Sequence, residues 1–131
     1  PVTDYRLART LLESGRWEME DFIVMNNTFF RCGEETWRYV WEQGMVFADA
    51  QYNFVVIGAR MLRQRGLHVA MYGGDGRRCL QFAKAYTQRQ GLPAVTVSYP
   101  PQNEKIRAEL ERDGFVHDRS CRIVMERILE K

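Results

Sequence analysis

The sequence predicts a layered α+β fold in which a mixed, mostly antiparallel sheet is flanked by helices. β-branched residues occupy positions 55 to 57, which suits a pleated strand better than a helix. Apolar residues alternate with polar ones over residues 95–99, which is typical of a half-buried strand. Residues 77–90 place apolar side chains on one side and polar ones on the other, so they predict a surface helix packed on that sheet.

Length and composition predict one domain, with a helical part over residues 1–44 and a sheet-and-helix core over residues 45–131. The chain has 131 residues, 45% of them hydrophobic, which is enough to bury one continuous core. Its formal charge of +2 is too small to indicate a nucleic-acid groove or a membrane patch. The apolar runs are too short to span a membrane, and the first residues lack the pattern of a secretory signal.

The cysteines predict a reducing compartment. Cys32, Cys79 and Cys121 are far apart, form no Cys-x-x-Cys pair and are odd in number, which argues against a disulfide framework or a thiolate metal site. His68 and His117 lack the spacing of metal ligands. We therefore expect a cytoplasmic protein without a bound metal.

The first 44 residues contain two helix patterns. Asp4 can cap a helix over residues 4–14 that Gly15 closes, and residues 34–43 form a second helix that stops at Gly44. Trp37 and Trp41 lie one turn apart on the second helix. Residues 17–30 have a mixed pattern that fits helix and strand equally well.

Residues 45–72 decide the fold class. One interpretation makes residues 45–50, 54–62 and 67–72 three antiparallel strands. The other makes residues 51–65 a helix, which would give a Rossmann-like parallel sheet whose turn at residues 73–76 binds a nucleotide or has become a protein-interaction scaffold. The β-branched run favours the strands.

The second half predicts a strand and two helices before a terminal hairpin. The helix over residues 77–90 ends at Gly91, and the strand over residues 95–99 stops at two prolines. Asn103 can cap the next helix, which Gly114 terminates. The alternation over residues 121–125 predicts a final strand.

A glycine-rich turn leads into the helix over residues 77–90. Gly73, Gly74 and Gly76 precede Arg77 and Arg78, and successive backbone amides at a helix start can bind a phosphate. A plain strand-to-helix turn explains the same glycines, and the Asp75 carboxylate would repel a phosphate unless it turns outward.

These elements together resemble the C-terminal half of the GNAT superfamily of acyl-CoA-dependent acyltransferases. The resemblance covers residues 45–129 and depends on Gly76, the helix to Gly91, the strand over residues 94–99, and the Asn103 helix that ends in Gly114-Phe115. Two positions differ from the family pattern. Met71 stands where the family's turn usually has Gln or Arg. Leu110 stands four residues before Gly114-Phe115, where the family often has a tyrosine that acts as the acid for the leaving thiolate.

The resemblance implies an N-acyltransferase, or a degenerate relative of one, that uses acetyl-CoA or another acyl-CoA. The pantetheine arm would hydrogen-bond to a strand edge near residues 67–72, and the pyrophosphate would meet the amides of residues 74–79. The cofactor-binding positions would be Gly74, Gly76, Arg77, Arg78 and Asn103.

The acceptor would be an amine on a small molecule or a peptide, deprotonated by a base. Tyr72, His68 and Asp49 are the candidates for that base, and the sequence does not choose among them. Beside the Rossmann-like nucleotide-binding alternative, a third possibility is a catalytically silent module that binds protein or nucleic acid. The sequence is compatible with a homodimer.

Overall fold

A computed structural model describes residues 1–14, 22–25, 28–59, 66–99, 103–117 and 124–128. The helices of the described chain are α1 (Tyr5–Ser14), α2 (Glu34–Glu42), α3 (Gly76–Arg89) and α4 (Glu104–Arg112). Its strands are β1 (Phe22–Met25), β2 (Thr28–Arg31), β3 (Val46–Ala48), β4 (Phe54–Ala59), β5 (Leu67–Gly73), β6 (Ala94–Ser98), β7 (Val116–His117) and β8 (Val124–Ile128).

The main sheet has the strand order β3-β4-β5-β6-β8-β7 among the described residues. β5 and β6 pair in parallel, and each of the other neighbouring strands pairs antiparallel. The prediction of a mixed, mostly antiparallel sheet flanked by helices is therefore confirmed. The Rossmann-like alternative is wrong, because the β-branched residues of β4 form a strand that pairs antiparallel with both neighbours.

Two apolar clusters make the fold three layers deep. One lies between the sheet and α3 with α4, and includes Val69, Tyr72, Leu80 and Leu110. The other lies between the sheet and α1 with α2, and Trp37 is fully buried in it. The Trp37 indole also donates a hydrogen bond to Glu13 Oε1 at 2.7 Å, so the polar atom of this large side chain is satisfied.

A β-bulge interrupts β5 at Ala70. Val56 pairs with Met71 and Ile57 pairs with Val69, so Ala70 is an extra residue between two regular pairs. Ala70 and Met71 both pack in the α1 and α2 layer, whereas Val69 and Tyr72 pack in the α3 and α4 layer. The bulge thus breaks the alternation of β5 at one point and places two consecutive residues in the same layer.

The undecided region of the N-terminal part contains a hairpin, in which β1 and β2 pair antiparallel. Several predicted features lie outside the described residues: the helix stop at residue 15, the strand at residues 60–62, the prolines at 100–101 and the turn and strand start at residues 118–123. In the part of the chain that the structure describes, no helix is long and apolar enough to cross a membrane.

Candidate functional site

The glycine-rich turn connects β5 to α3, and the carboxylate of Asp75 in this turn caps the helix. Gly74 has a φ of 97°, which favours glycine, and allows the chain to turn sharply. Asp75 Oδ1 accepts hydrogen bonds from the backbone N–H groups of Arg77 (3.0 Å) and Arg78 (3.3 Å). The Asp75 N–H donates to Asn53 Oδ1 at 2.8 Å. Three of the backbone amides that the resemblance assigns to the pyrophosphate, those of residues 75, 77 and 78, therefore donate to side-chain oxygens in this structure.

This cap gives a direct stability prediction. Replacing Asp75 with Ala removes the acceptor for two helix-start amides, and we expect it to lower the free energy of unfolding by about 1 kcal/mol. Asp75→Asn keeps an acceptor oxygen and should cost much less. Urea denaturation of the two variants checks this, and an equal loss in both would contradict the capping role.

A second carboxylate, that of Glu109 on α4, lies against the first residue of α3. A Cβ atom placed on Gly76 would lie 2.6 Å from Cδ, Oε1 and Oε2 of Glu109. The Tyr72 hydroxyl donates to Glu109 Oε1 at 2.8 Å. Because Gly76 has no Cβ atom, the Glu109 carboxylate can lie close to the start of α3. The helix dipole favours a negative charge there.

Tyr72 is unsuited to the role of base. Its side chain is buried between the sheet and the helices. Burial, reinforced by the hydrogen bond to Glu109, raises the pKa of Tyr72 well above its usual range. The phenol therefore stays protonated near neutral pH and acts as a hydrogen-bond donor.

Asp49 has a structural role at the turn between β3 and β4. Its carboxylate accepts hydrogen bonds from the backbone of Gln51 and from both the backbone and side chain of Asn53. Arg78 lies 3.5 Å away. The hydrogen bond from the Asn53 side chain is the main cause that lowers the pKa of Asp49, so this group stays ionised.

His68 lies near the start of β5, and its Nδ1 is 2.6 Å from Thr96 Oγ1 on β6. Adjacent residues of a strand point to opposite faces, and Val69 faces α3 and α4. His68 therefore lies on the other face of the sheet from Tyr72. The structure thus separates the three predicted bases instead of gathering them into one cluster.

The parallel ladder between β5 and β6 ends just before the bulge. Their ladder consists of the pairs Leu67–Val95, His68–Thr96 and Val69–Val97, and among the described residues it ends there. The next residue of β5 is the bulged Ala70, and the strand then continues to Gly73 directly ahead of α3. We call the place where this ladder ends, ahead of the start of α3, the opening between β5 and β6.

Asn103 caps α4, and its side chain accepts a hydrogen bond from the Ile106 N–H at 3.1 Å. Its position at the start of α4 agrees with the predicted helix start. Its assignment to cofactor binding stays a prediction, as do those of Gly74, Gly76, Arg77 and Arg78. Arg77 and Arg78 both lie exposed on the first turn of α3.

A separate cleft of about 630 Å³ lies between α3 and the edge of the sheet at β3. Phe47, Phe82 and Tyr86 form an aromatic wall in it, with ring centroids 4.9 to 5.6 Å apart. The sequence did not indicate this cleft, because its walls come from a short edge strand and one side of a helix.

Cys79 also lines this cleft, but its thiol points into the protein. Its Sγ lies 3.4 Å from the carbonyl oxygens of Phe54 and Gly73. Burial raises the pKa of the Cys79 thiol to about 12. The thiol is thus protonated at neutral pH and is not a nucleophile there.

The sequence singled out Gly76 and Tyr72, but Glu109, which contacts both, was missed. The only signal that points toward it is its position next to Leu110, where the resembled family often has a functional tyrosine. Within the described ranges, no group of three His, Cys, Asp or Glu side chains could hold a metal ion.

Comparison with known proteins gives no relative for this chain. No protein family, no curated protein and no solved structure matches it.

Proposed function

We propose that this protein binds an acyl-CoA thioester in the opening between β5 and β6 and transfers the acyl group to an amine. The observation that carries the proposal is the end of the parallel ladder after the pair Val69–Val97, on the strand that leads into α3. A pantetheine arm contains two amide groups that need hydrogen-bond partners. The edge of a strand beyond its last ladder pair is a surface that can supply them.

The order of elements supports the same proposal. From β3 onward the chain runs through an antiparallel hairpin, a glycine turn, a helix, a parallel strand, an Asn-capped helix and two final strands. This is the order that the resemblance to GNAT acyltransferases implies. Phe115 follows α4 and is buried in the core.

The chemistry would be a direct transfer. The amine nitrogen attacks the thioester carbonyl, the C–N bond forms as the C–S bond breaks, the amine loses a proton, and the thiolate leaves and is protonated. Holding the two reactants in line supplies most of the acceleration, because it converts an encounter between two molecules into a step within one complex.

His68 is the best of the three predicted bases for this step. Imidazole accepts and releases protons near neutral pH, and the contact with Thr96 orients its ring. Because His68 lies on the face of the sheet opposite Tyr72, the acceptor amine would approach the thioester from the side of the sheet that α1 and α2 cover. Tyr72 is held protonated, and Asp49 is engaged at its own turn.

Thermal unfolding with acetyl-CoA tests this proposal. A ligand that binds only the folded protein stabilises it by about 2.7 kcal/mol at a concentration of 100 times Kd, so we expect the Tm to rise by several degrees. ATP is the control, since it contains adenine and phosphates without pantetheine. No rise at millimolar acetyl-CoA, or an equal rise with ATP, would contradict pantetheine binding between the strands.

A second candidate is a catalytically silent relative, and the acidic groups at the start of α3 favour it. Asp75 and Glu109 both lie where a diphosphate would bind, while the aromatic cleft beside α3 offers another binding surface. Such a protein would not bind acetyl-CoA and would bind a different partner. Association with DNA or RNA that weakens steeply with salt would identify a nucleic-acid module.

A further inference from the structure

We propose that Glu109 sets the charge selectivity of the opening between β5 and β6, because its carboxylate occupies the place that the donor's diphosphate would take. The inference rests on the proposed acyl-CoA binding and adds to it a residue that limits the affinity. Binding of a diphosphate would require the Glu109 side chain to leave Tyr72 and the start of α3.

The geometry places the carboxylate directly on the backbone of α3. All three carboxyl atoms of Glu109 lie within 2.6 Å of the point where a Cβ of Gly76 would be. The buried Tyr72 hydroxyl fixes the carboxylate from the other side at 2.8 Å. A phosphate could not approach Gly76 while the side chain keeps this position, since both groups need the same volume.

Charge acts in the same direction as shape. The start of α3 carries the partial positive charge of its helix dipole, and Glu109 already benefits from it. Among the described residues, no lysine or arginine forms an ion pair with Glu109, so its negative charge is not offset by a neighbouring cation. A diphosphate that arrives here would meet an uncompensated like charge.

The test compares Glu109→Gln with a matched variant of the same helix. Gln keeps the shape and an acceptor oxygen for Tyr72, so only the charge is lost. Glu111→Gln makes the same change in charge at an exposed position of α4, where the partner is Arg107 at 3.7 Å. The dissociation constants for acetyl-CoA and for S-acetylpantetheine, which has no phosphate, are measured by calorimetry for each protein.

We expect Glu109→Gln to bind acetyl-CoA about tenfold more tightly than the wild type, and Glu111→Gln to bind it as the wild type does. The affinity for S-acetylpantetheine should be the same in all three proteins. Glu109→Ala, which also removes the bulk, should bind acetyl-CoA at least as tightly as Glu109→Gln. Thermal unfolding without ligand confirms that each variant is folded.

The results separate this inference from the proposed function. Acetyl-CoA binding that is equal in the wild type and in folded Glu109→Gln would overturn the role of Glu109 while acyl-CoA binding stands. An equal gain in Glu111→Gln would also overturn it, because the effect would then be one of net charge. No acetyl-CoA binding by any of the proteins would overturn both.

Discussion

Deletion of Ala70 is expected to weaken acetyl-CoA binding at least a hundredfold while the protein stays folded. Ala70 is the extra residue of the bulge, since Val69 and Met71 already pair with successive residues of β4. Its removal would join those two pairs into a regular antiparallel ladder. Val69, Met71 and Tyr72 would then alternate between the two faces on which they already pack.

The loss of binding follows from the position of the bulge. The ladder between β5 and β6 ends at the residue just before Ala70, so we attribute the end of the ladder to the local distortion that a bulge introduces. A straight β5 could continue to pair with β6. The backbone groups of β5 that we assign to pantetheine would then form hydrogen bonds with β6 instead.

The experiment measures acetyl-CoA binding by calorimetry and amide protection by hydrogen exchange. Protection at Met71 and Tyr72 should rise in the deletion variant as the ladder extends. Ala70→Gly is the control, because it keeps the extra residue and should bind as the wild type does. A folded deletion variant that keeps wild-type affinity would show that the opening is not the binding site.

The antiparallel core was predictable from local sequence, because side-chain branching and alternation act within a few residues. The β-branched run favoured strands over a helix at residues 51–65, and residues 54–59 do form a strand. Residues 22–31 could not be assigned in this way, because a four-residue strand of the β1 and β2 hairpin is too short to reveal a period.

The bulge and the contact of Glu109 could not be predicted for a different reason. Residues 69–72 form an unbroken apolar run in the sequence, so only the pairing with β4 identifies Ala70 as an extra residue. Tyr72 and Glu109 are 37 positions apart, and their hydrogen bond depends on how α4 packs on the sheet. Features of this kind arise from tertiary packing, which no short pattern encodes.

The Asp75 carboxylate shows how one residue type can support two opposite interpretations. In the sequence it counted against a phosphate site, because it would repel the ligand unless it turned outward. In the structure it turns toward the helix and accepts hydrogen bonds from Arg77 and Arg78. Sequence alone could not choose between these two orientations, because the N–H groups it caps become available only when α3 forms.

Replacement of Gly74 with Ala is expected to lower the free energy of unfolding by about 3 kcal/mol. Two costs contribute. The φ of 97° is unfavourable for any residue with a Cβ atom. The new Cβ would also collide with Asn53 Oδ1 and lie 3.1 Å from the Asn53 Cα, a backbone atom that cannot move easily.

Gly91→Ala is the matched control for the backbone cost. Gly91 has a similar φ of 74°, but nothing lies within 4 Å of the point where its Cβ would be. We therefore expect Gly91→Ala to cost only about 1 kcal/mol, the usual penalty for a left-handed conformation. The difference between the two variants, measured by urea denaturation, isolates the contact with Asn53.

A double variant separates the side chain of Asn53 from its backbone. Asn53→Ala removes the Oδ1 atom that would collide, and with it the acceptor for the Asp75 N–H. In that background the cost of Gly74→Ala should fall toward that of Gly91→Ala, but should stay above it because the Asn53 Cα is still close. If Gly74→Ala costs no more than Gly91→Ala in the wild-type background, then Asn53 does not constrain the turn.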